Sequence, residues 1–387
     1  MPPFSQRKHD RVLLALTLLM LASLYAWPLL TWAPNRLLTG HALPWSRLAN
    51  GWHPLLWLPG MLLLPAWALR PRRLVWLATA LAAAALLAGL CGLAGAVAAE
   101  EAARTPFGRT SFGAAFWSMA LLCWLTAAHC LTRLFPRHSS RSIAHLLLWA
   151  PLGLLLASGR MDELSVLKEY ANRQDVFDDA LWRHVQILLA TLLPAIATGW
   201  PLGLLAFRRP ALRQALFAVL NIIQTIPSIA LFGLLIAPLA WLAQTSPWLA
   251  RAGVGGIGMA PAVIALALYA LLPIVRSMVA GLEQVPAAVV EAAAGMGLSQ
   301  RQILLRVELP LALPVVLAGI RITAVQTVGM ASVAALIGAG GFGAIMFQGL
   351  AGSALDLVLL GVIPVVALAV VLDALFSFFE SLLEIRP

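Results

Sequence analysis

The sequence predicts an all-α, polytopic membrane protein with about ten transmembrane helices, because its apolar runs approach the roughly 20 residues that cross a bilayer. Three observations carry this prediction. Of 387 residues, 61% are apolar and 11% are charged, whereas a soluble domain carries about 25% charged residues. The apolar residues fall in long uninterrupted runs. The Lys and Arg residues behind the net charge of +10 punctuate those runs rather than gathering on one basic stripe, which points to membrane topology and away from nucleic-acid binding.

The first run, 12–33, follows a basic start containing Arg7 and Lys8. It exceeds the apolar region of a signal peptide and more spans follow, so it reads as a retained anchor. Spans at 53–69, 74–99, 111–132 and 142–159 complete a first half rich in tryptophan, whose amphipathic rings favour the headgroup zone. Cys91, Cys123 and Cys130 lie inside apolar segments without CxxC or Cys/His spacing, so they read as small buried residues with no metal or redox role. The stretch Arg160 to Arg183 is acidic, with Asp162, Glu163, Glu169, Asp175, Asp178 and Asp179, and reads as an external, partly helical linker. Beyond it come spans at 183–206, 214–243, 257–280, 311–337 and 355–380. The expected organisation is an N-terminal membrane extension over 1–159, a periplasmic linker over 160–182 and a second membrane unit over 183–387.

Orientation follows from the short loops, because Lys and Arg accumulate on the cytoplasmic side. The clusters Arg70, Arg72 and Arg73, then Arg133, Arg137 and Arg141, then Arg208, Arg209 and Arg213 all fall on one side. An even number of spans puts both termini on that side, so both are expected in the cytoplasm.

Two stretches match G-x-G-x-x-G: Gly253, Gly255, Gly258 and Gly338, Gly340, Gly343. Nucleotide binding through this pattern needs a βαβ setting. Both stretches instead border membrane spans on the expected outer face, and they read as flexible turns. There is no Walker A motif: the only lysines, Lys8 and Lys168, do not follow glycine. ATP-driven work would need another subunit to bind the nucleotide, and neither a cofactor nor a metal is expected here.

The most informative stretch is VEAAAGMGLSQRQILLRVELP, Val290 to Pro310. Glu291 to Met296 is helix-forming and Gly297 is a helix-terminating residue. Ser299 with Gln302 fits a capping box opening a second short helix, whose apolar face is Ile303, Leu304 and Val307. Pro310 and Pro314 mark the end of that helix and the start of the next span. An amphipathic loop lying on the membrane has the same physical features.

E-A-A, three residues, G, nine residues, then I-x-L-P is the signature loop of binding-protein-dependent ABC importer permeases. This sequence resembles it at Glu291, Ala292, Ala293, Gly297, Leu309 and Pro310, with Val307 in place of the usual Ile. NIIQTIPSIALFGLL (Asn221 to Leu235), ALYALLPIVRSMVAGL (Ala267 to Leu282), ELPLALPVVLAGIR (Glu308 to Arg321) and ALIGAGGFG (Ala335 to Gly343) are similar to permeases for glycine betaine, choline and related osmoprotectants. The extra N-terminal spans resemble the long-form YehY-type group.

This resemblance implies a C-terminal MetI-like ABC permease core over 183–387 in a bacterial inner membrane, with no chemistry performed in the chain. Its coupling loop, 283–310, would dock on a cytoplasmic ABC ATPase. Small Ala292 and Ala293 would allow close approach, and the Glu291 carboxylate would offer a charge-assisted hydrogen bond. The implied partners are that ATPase, a second identical or related permease subunit, a periplasmic or lipid-anchored substrate-binding protein and membrane lipid, with no nucleic acid.

Within the core spans, Asn221, Gln224, Thr225 and Ser228 surround the helix-bending Pro227, and Tyr269, Gln326 and Thr327 fall in neighbouring apolar runs. Polar groups in lipid face either a cavity or another helix, so these residues are candidates both for the translocation pathway and for helix-to-helix bonding. Arg321 is costly so far inside a span unless it snorkels or pairs, and it is expected near the cytoplasmic surface. His129 and His145 have no acidic residue in mid-span within the first five helices, which argues against a proton relay. The alternatives to an ABC permease are an ion-coupled secondary transporter and a non-transporting membrane sensor or scaffold on the same fold.

Overall fold

A computed structural model describes residues 10–35, 38, 40–43, 48, 60–61, 63, 72–136 and 138–383. The chain forms two compact units, Met1–Asn172 and Arg173–Pro387. Eight helices among the described residues are long and apolar enough to cross a membrane, and Arg11–Ala26 and Phe342–Ala351 are shorter apolar helices. Most of the expected span 53–69 lies outside the described residues.

The first unit contains α1 (Arg11–Ala26), β1 (Leu30–Ala33), β2 (His41–Ala42), α2 (Arg73–Arg104), β3 (Arg109–Phe112), α3 (Ala114–Leu134), α4 (His138–Ala157) and α5 (Ser165–Asn172). Asp10 caps α1: its carboxylate accepts the Val12 and Leu13 amides at 3.0 and 3.2 Å, satisfying donors that every helix N-terminus leaves open. Leu86, Leu90, Val97, Phe116, Met119 and Cys123 form part of a shared core of α2 and α3. Cys91, Cys123 and Cys130 are all buried and unbridged.

The sheet corrects the expected run 12–33. Its helix stops at Ala26, and Leu30–Ala33 becomes the central strand of an antiparallel order β2-β1-β3, pairing Trp32 with both His41 and Thr110. Pro28 lacks the amide donor a continuing helix needs. The strand's own groups are then satisfied by β3, whose sequence position is distant, so hydropathy alone does not reveal the pairing.

The second unit contains α6 (Gln174–Arg208), α7 (Pro210–Thr225), α8 (Ser228–Thr245), α9 (Pro247–Arg251), α10 (Met259–Glu283), α11 (Ala287–Gly295), α12 (Gln300–Ile303), α13 (Leu309–Val333), α14 (Phe342–Ala351) and α15 (Leu355–Leu383). The span expected at 214–243 is two helices. Ile226 and Pro227 leave helical geometry between α7 and α8, because proline disfavours helical backbone in the residue before it.

Helix α10 packs against both α6 and α13. Gly199 and Gly203 of α6 permit the first contact: a Cβ on Gly199 would lie 2.8 Å from Ile274 Cγ2, and one on Gly203 would lie 2.6 Å from Met278 Cβ. Small residues at this spacing let membrane helices approach closely.

Candidate functional site

The stretch between α10 and α13 is a helix, turn, helix block. Helix α11 ends in a Schellman motif: Leu298 N–H donates to the Ala293 carbonyl at 3.2 Å and Gly297 N–H to Ala294 at 2.9 Å. Gly297 has φ +84°, a conformation glycine adopts without the Cβ penalty. Ser299 then opens α12 with both halves of a capping box, its amide reaching Gln302 Oε1 at 2.8 Å and its hydroxyl accepting the Gln302 amide at 3.4 Å.

The residues singled out in this block do not all face outward. Glu291, Ala292, Gly297 and Pro310 are exposed, whereas Ala293 is buried and Leu309 packs with Met278, Leu282 and Leu304. Ala293 therefore seats α11 on its own chain, and Ala292 is the outward one of the two alanines in the signature. Met296, not singled out by the sequence reading, is 75% exposed at the tip.

Pro310 does not end the second helix. A π-helical turn over Leu304–Glu308 joins α12 directly to α13. A widened turn accommodates the bond that proline cannot make and relieves the clash of its ring with the preceding turn.

The candidate pathway residues divide into three groups. Gln224 Nε2 donates to the Tyr269 carbonyl at 3.0 Å, and the Tyr269 hydroxyl donates to the Ile226 carbonyl. These reciprocal bonds fix the break between α7 and α8 onto α10. Thr327 is buried and donates to the Thr323 carbonyl of its own helix at 2.7 Å. Asn221, Thr225 and Gln326 lie on exposed surface, Pro227 is exposed at the break, and Ser228 beside it is half-buried. Asn221 Oδ1 accepts from Arg276 Nη2 at 2.7 Å, and Thr225 donates to the Ile222 carbonyl at 2.7 Å.

Arg321 is half-buried and paired. Its guanidinium meets Glu380, Asp373 and Ser377 on α15, an acidic face that the sequence reading did not single out although its spacing of four and three residues was visible. In the first unit, His129 has an acidic partner after all: its Nε2 lies 2.9 Å from Asp10 Oδ2. The carboxylate comes from the α1 cap rather than from mid-span. Burial pushes the Asp10 carboxyl up, but hydrogen bonds from His129, Leu13 and Val12, together with the charge of His129, outweigh burial and hold it below its usual value.

Residues 9–167 match the family described as ABC transporter permease YehY, N-terminal domain, and residues 195–385 match the binding-protein-dependent transport system inner membrane component. The carnitine transport permease protein OpuCB of Listeria monocytogenes is 38% identical over 192 residues, covering 50% of this chain and 81% of that one. The osmoprotectant import permease protein OsmW of Salmonella typhimurium strain LT2 is 37% identical over 202 residues, covering 52% and 89%. The choline transport system permease protein OpuBB of Bacillus subtilis strain 168 is 32% identical over 199 residues, covering 51% and 84%. A solved chain of the MetNI methionine ABC transporter in an inward-facing conformation aligns over 55% of this chain and 98% of its own, at 24% identity and a TM-score of 0.49. With its apolar helices and these relatives, the chain is a multi-pass membrane protein that belongs to the binding-protein-dependent inner membrane components, the permease subunits of ABC importers.

Proposed function

We propose that the protein passes glycine betaine or a related quaternary-ammonium osmoprotectant across the inner membrane by alternating access. The substrate class rests on the names of the relatives, which transport carnitine, choline and osmoprotectants. A separate cytoplasmic ABC ATPase hydrolyses ATP, a second identical or related permease subunit completes the channel, and a periplasmic or lipid-anchored binding protein delivers the substrate. Both termini lie in the cytoplasm. Residues 183–387 form the transport core, 160–182 the periplasmic linker, and 1–159 a membrane extension that affects stability or regulation.

The observation that carries this reading is the rigid block from α11 through Gly297 to α12. Its ends are fixed by a Schellman motif and a capping box, and it presents Glu291 and Ala292 to solvent. ATPase closure pushing on such a block would be transmitted directly into α10 and α13, which flank it in the chain. Asn221, Thr225 and Gln326 are the pathway candidates in this reading. Gln224, Pro227, Ser228 and Tyr269 form and brace the bend beside it, and Thr327 holds its own helix.

The test is reconstitution with a cognate ABC ATPase and substrate-binding protein. Labelled glycine betaine should enter vesicles only with ATP, and uptake should survive collapse of proton and sodium gradients. Uptake by this chain alone, driven by an ion gradient, overturns the reading in favour of a secondary transporter.

A further inference from the structure

The two glycine-rich stretches meet in space. Gly258 N–H donates to the Ile337 carbonyl at 2.8 Å, and a Cβ on Gly338 would lie 3.9 Å from Gly258 N. The second turn is also tied to α6. Arg183 Nε donates to the Ala339 carbonyl at 2.9 Å, and His184 Nε2 lies 3.1 Å from the Val328 carbonyl. A carbonyl only accepts, so Nε2 carries the ring proton. His184 is fully buried, with its ring 5.5 Å from Phe342. Gly341, at φ +76°, sits against it: a Cβ there would lie 3.1 Å from His184 Nδ1.

This cluster lies at a mechanically defined place. Helix α10 starts beside it at Met259 and ends beside the α11 block, and α13 runs the opposite way to Val333. Each helix has 25 residues, so the glycine turns sit about 37 Å from the α11 end. A push on α11 reaches them through two packed helices.

We propose that Arg183 and His184 form a latch that holds the two glycine turns closed over this end of the permease core, and that the latch opens in each transport cycle. The proposal rests on the importer reading above. The latch bonds end on backbone carbonyls of the turn and of α13, so they secure the chain path itself. Beside these bonds, His184 Nδ1 and Ser332 Oγ are buried without a partner from the protein. The arrangement is therefore held by a few specific side-chain bonds at the far end of two packed helices, where a push on α11 arrives.

A reversible crosslink tests this. In a background with Cys91, Cys123 and Cys130 changed to Ala, His184→Cys is combined with Gly341→Cys. A Cβ at 341 would lie 3.5 Å from the Cβ of 184, within the usual disulfide separation of about 3.5–4.5 Å. The complete importer is reconstituted with its ATPase and binding protein, and labelled glycine betaine uptake is measured oxidised and reduced. Uptake should fall at least about tenfold on oxidation and recover on reduction. A verified crosslinked importer that transports at the reduced rate overturns the latch.

Should that pair fail to assemble, Arg183→Gln gives a second reading: ATP hydrolysis without delivered substrate should rise about threefold, with Arg183→Lys partly restoring the parent value. Unchanged basal hydrolysis overturns the latch. Parent uptake in the same vesicles separates the two ideas. If the parent shows none, the importer reading falls with the latch; if it transports while locked protein also transports, the latch alone falls.

Discussion

Arg321 Nη1 lies 3.0 Å from Glu380 Oε2, tying α13 to α15. The same nitrogen donates to Ser377 Oγ at 2.8 Å, and Arg321 Nε faces Asp373 Oδ1 at 3.4 Å. One guanidinium fork thus gathers three side chains from one face of α15, in a fixed donor geometry that a flexible Lys ammonium lacks.

Arg321→Gln should therefore destabilise the second unit by about 2 kcal/mol, between the values for exposed and fully buried pairs. Arg321 and Glu380 are 27% and 21% exposed, so neither limit applies. The Arg321→Gln/Glu380→Gln double variant should recover part of the loss by removing the unpaired carboxylate. Thermal unfolding in detergent measures both, and strictly additive losses would contradict a coupled pair.

Tyr269→Phe removes the hydroxyl that donates to the Ile226 carbonyl at the α7–α8 break. The expected loss is about 1 kcal/mol, confined to that junction. Amide hydrogen exchange over 222–230 should accelerate while α13 is unaffected; no local acceleration would show that the hydroxyl does not brace the break.

At Gly297 the surroundings are open, since no heavy atom lies within 4 Å of an added Cβ. The constraint is φ, so Gly297→Val should cost about 1–2 kcal/mol of backbone strain while Gly297→Asn costs less. Co-purification of the ATPase should fall with Val and persist with Asn. Equal association for both would place the recognition elsewhere.

Glu291 is exposed, so Glu291→Ala should change stability by less than about 0.5 kcal/mol. Uptake and ATPase co-purification should nevertheless drop together. Unchanged values of both would remove Glu291 from the coupling surface.

The first unit should lose stability in acid through Asp10. Its carboxyl is held below the unfolded value, which is about 3.9. The contribution is thus fully present above that value and disappears as the pH falls through the lower, folded value. Tryptophan fluorescence melts below about pH 4 should show a smaller acid shift in Asp10→Ala than in the parent. Asp10→Ala itself should cost about 1 kcal/mol at neutral pH through the lost cap.

The lesson of Pro227 and Pro310 is that local chemistry marks a site of irregularity without fixing its outcome. Both prolines were visible, yet one splits an expected span and the other sits inside a continuous helical path. What differs is the alternative for the freed backbone groups. Tyr269 holds the Ile226 carbonyl at the first, and a π-helical turn absorbs the second. Neither alternative is local enough to read from a propensity.

The sequence by itself determined the membrane class, the long apolar spans, the Gly297 stop and the Ser299 capping box. These depend on hydropathy and on contacts between residues a few positions apart. Only the tertiary structure decided that Ala293 faces inward, that Arg321 finds Glu380, that His129 finds Asp10 and that two glycine turns meet beneath Arg183 and His184. Each of those pairings joins segments far apart in the chain, or depends on which face of a helix is buried. In a membrane helix hydropathy leaves that choice weakly marked, because the lipid-facing side is as apolar as the packed side.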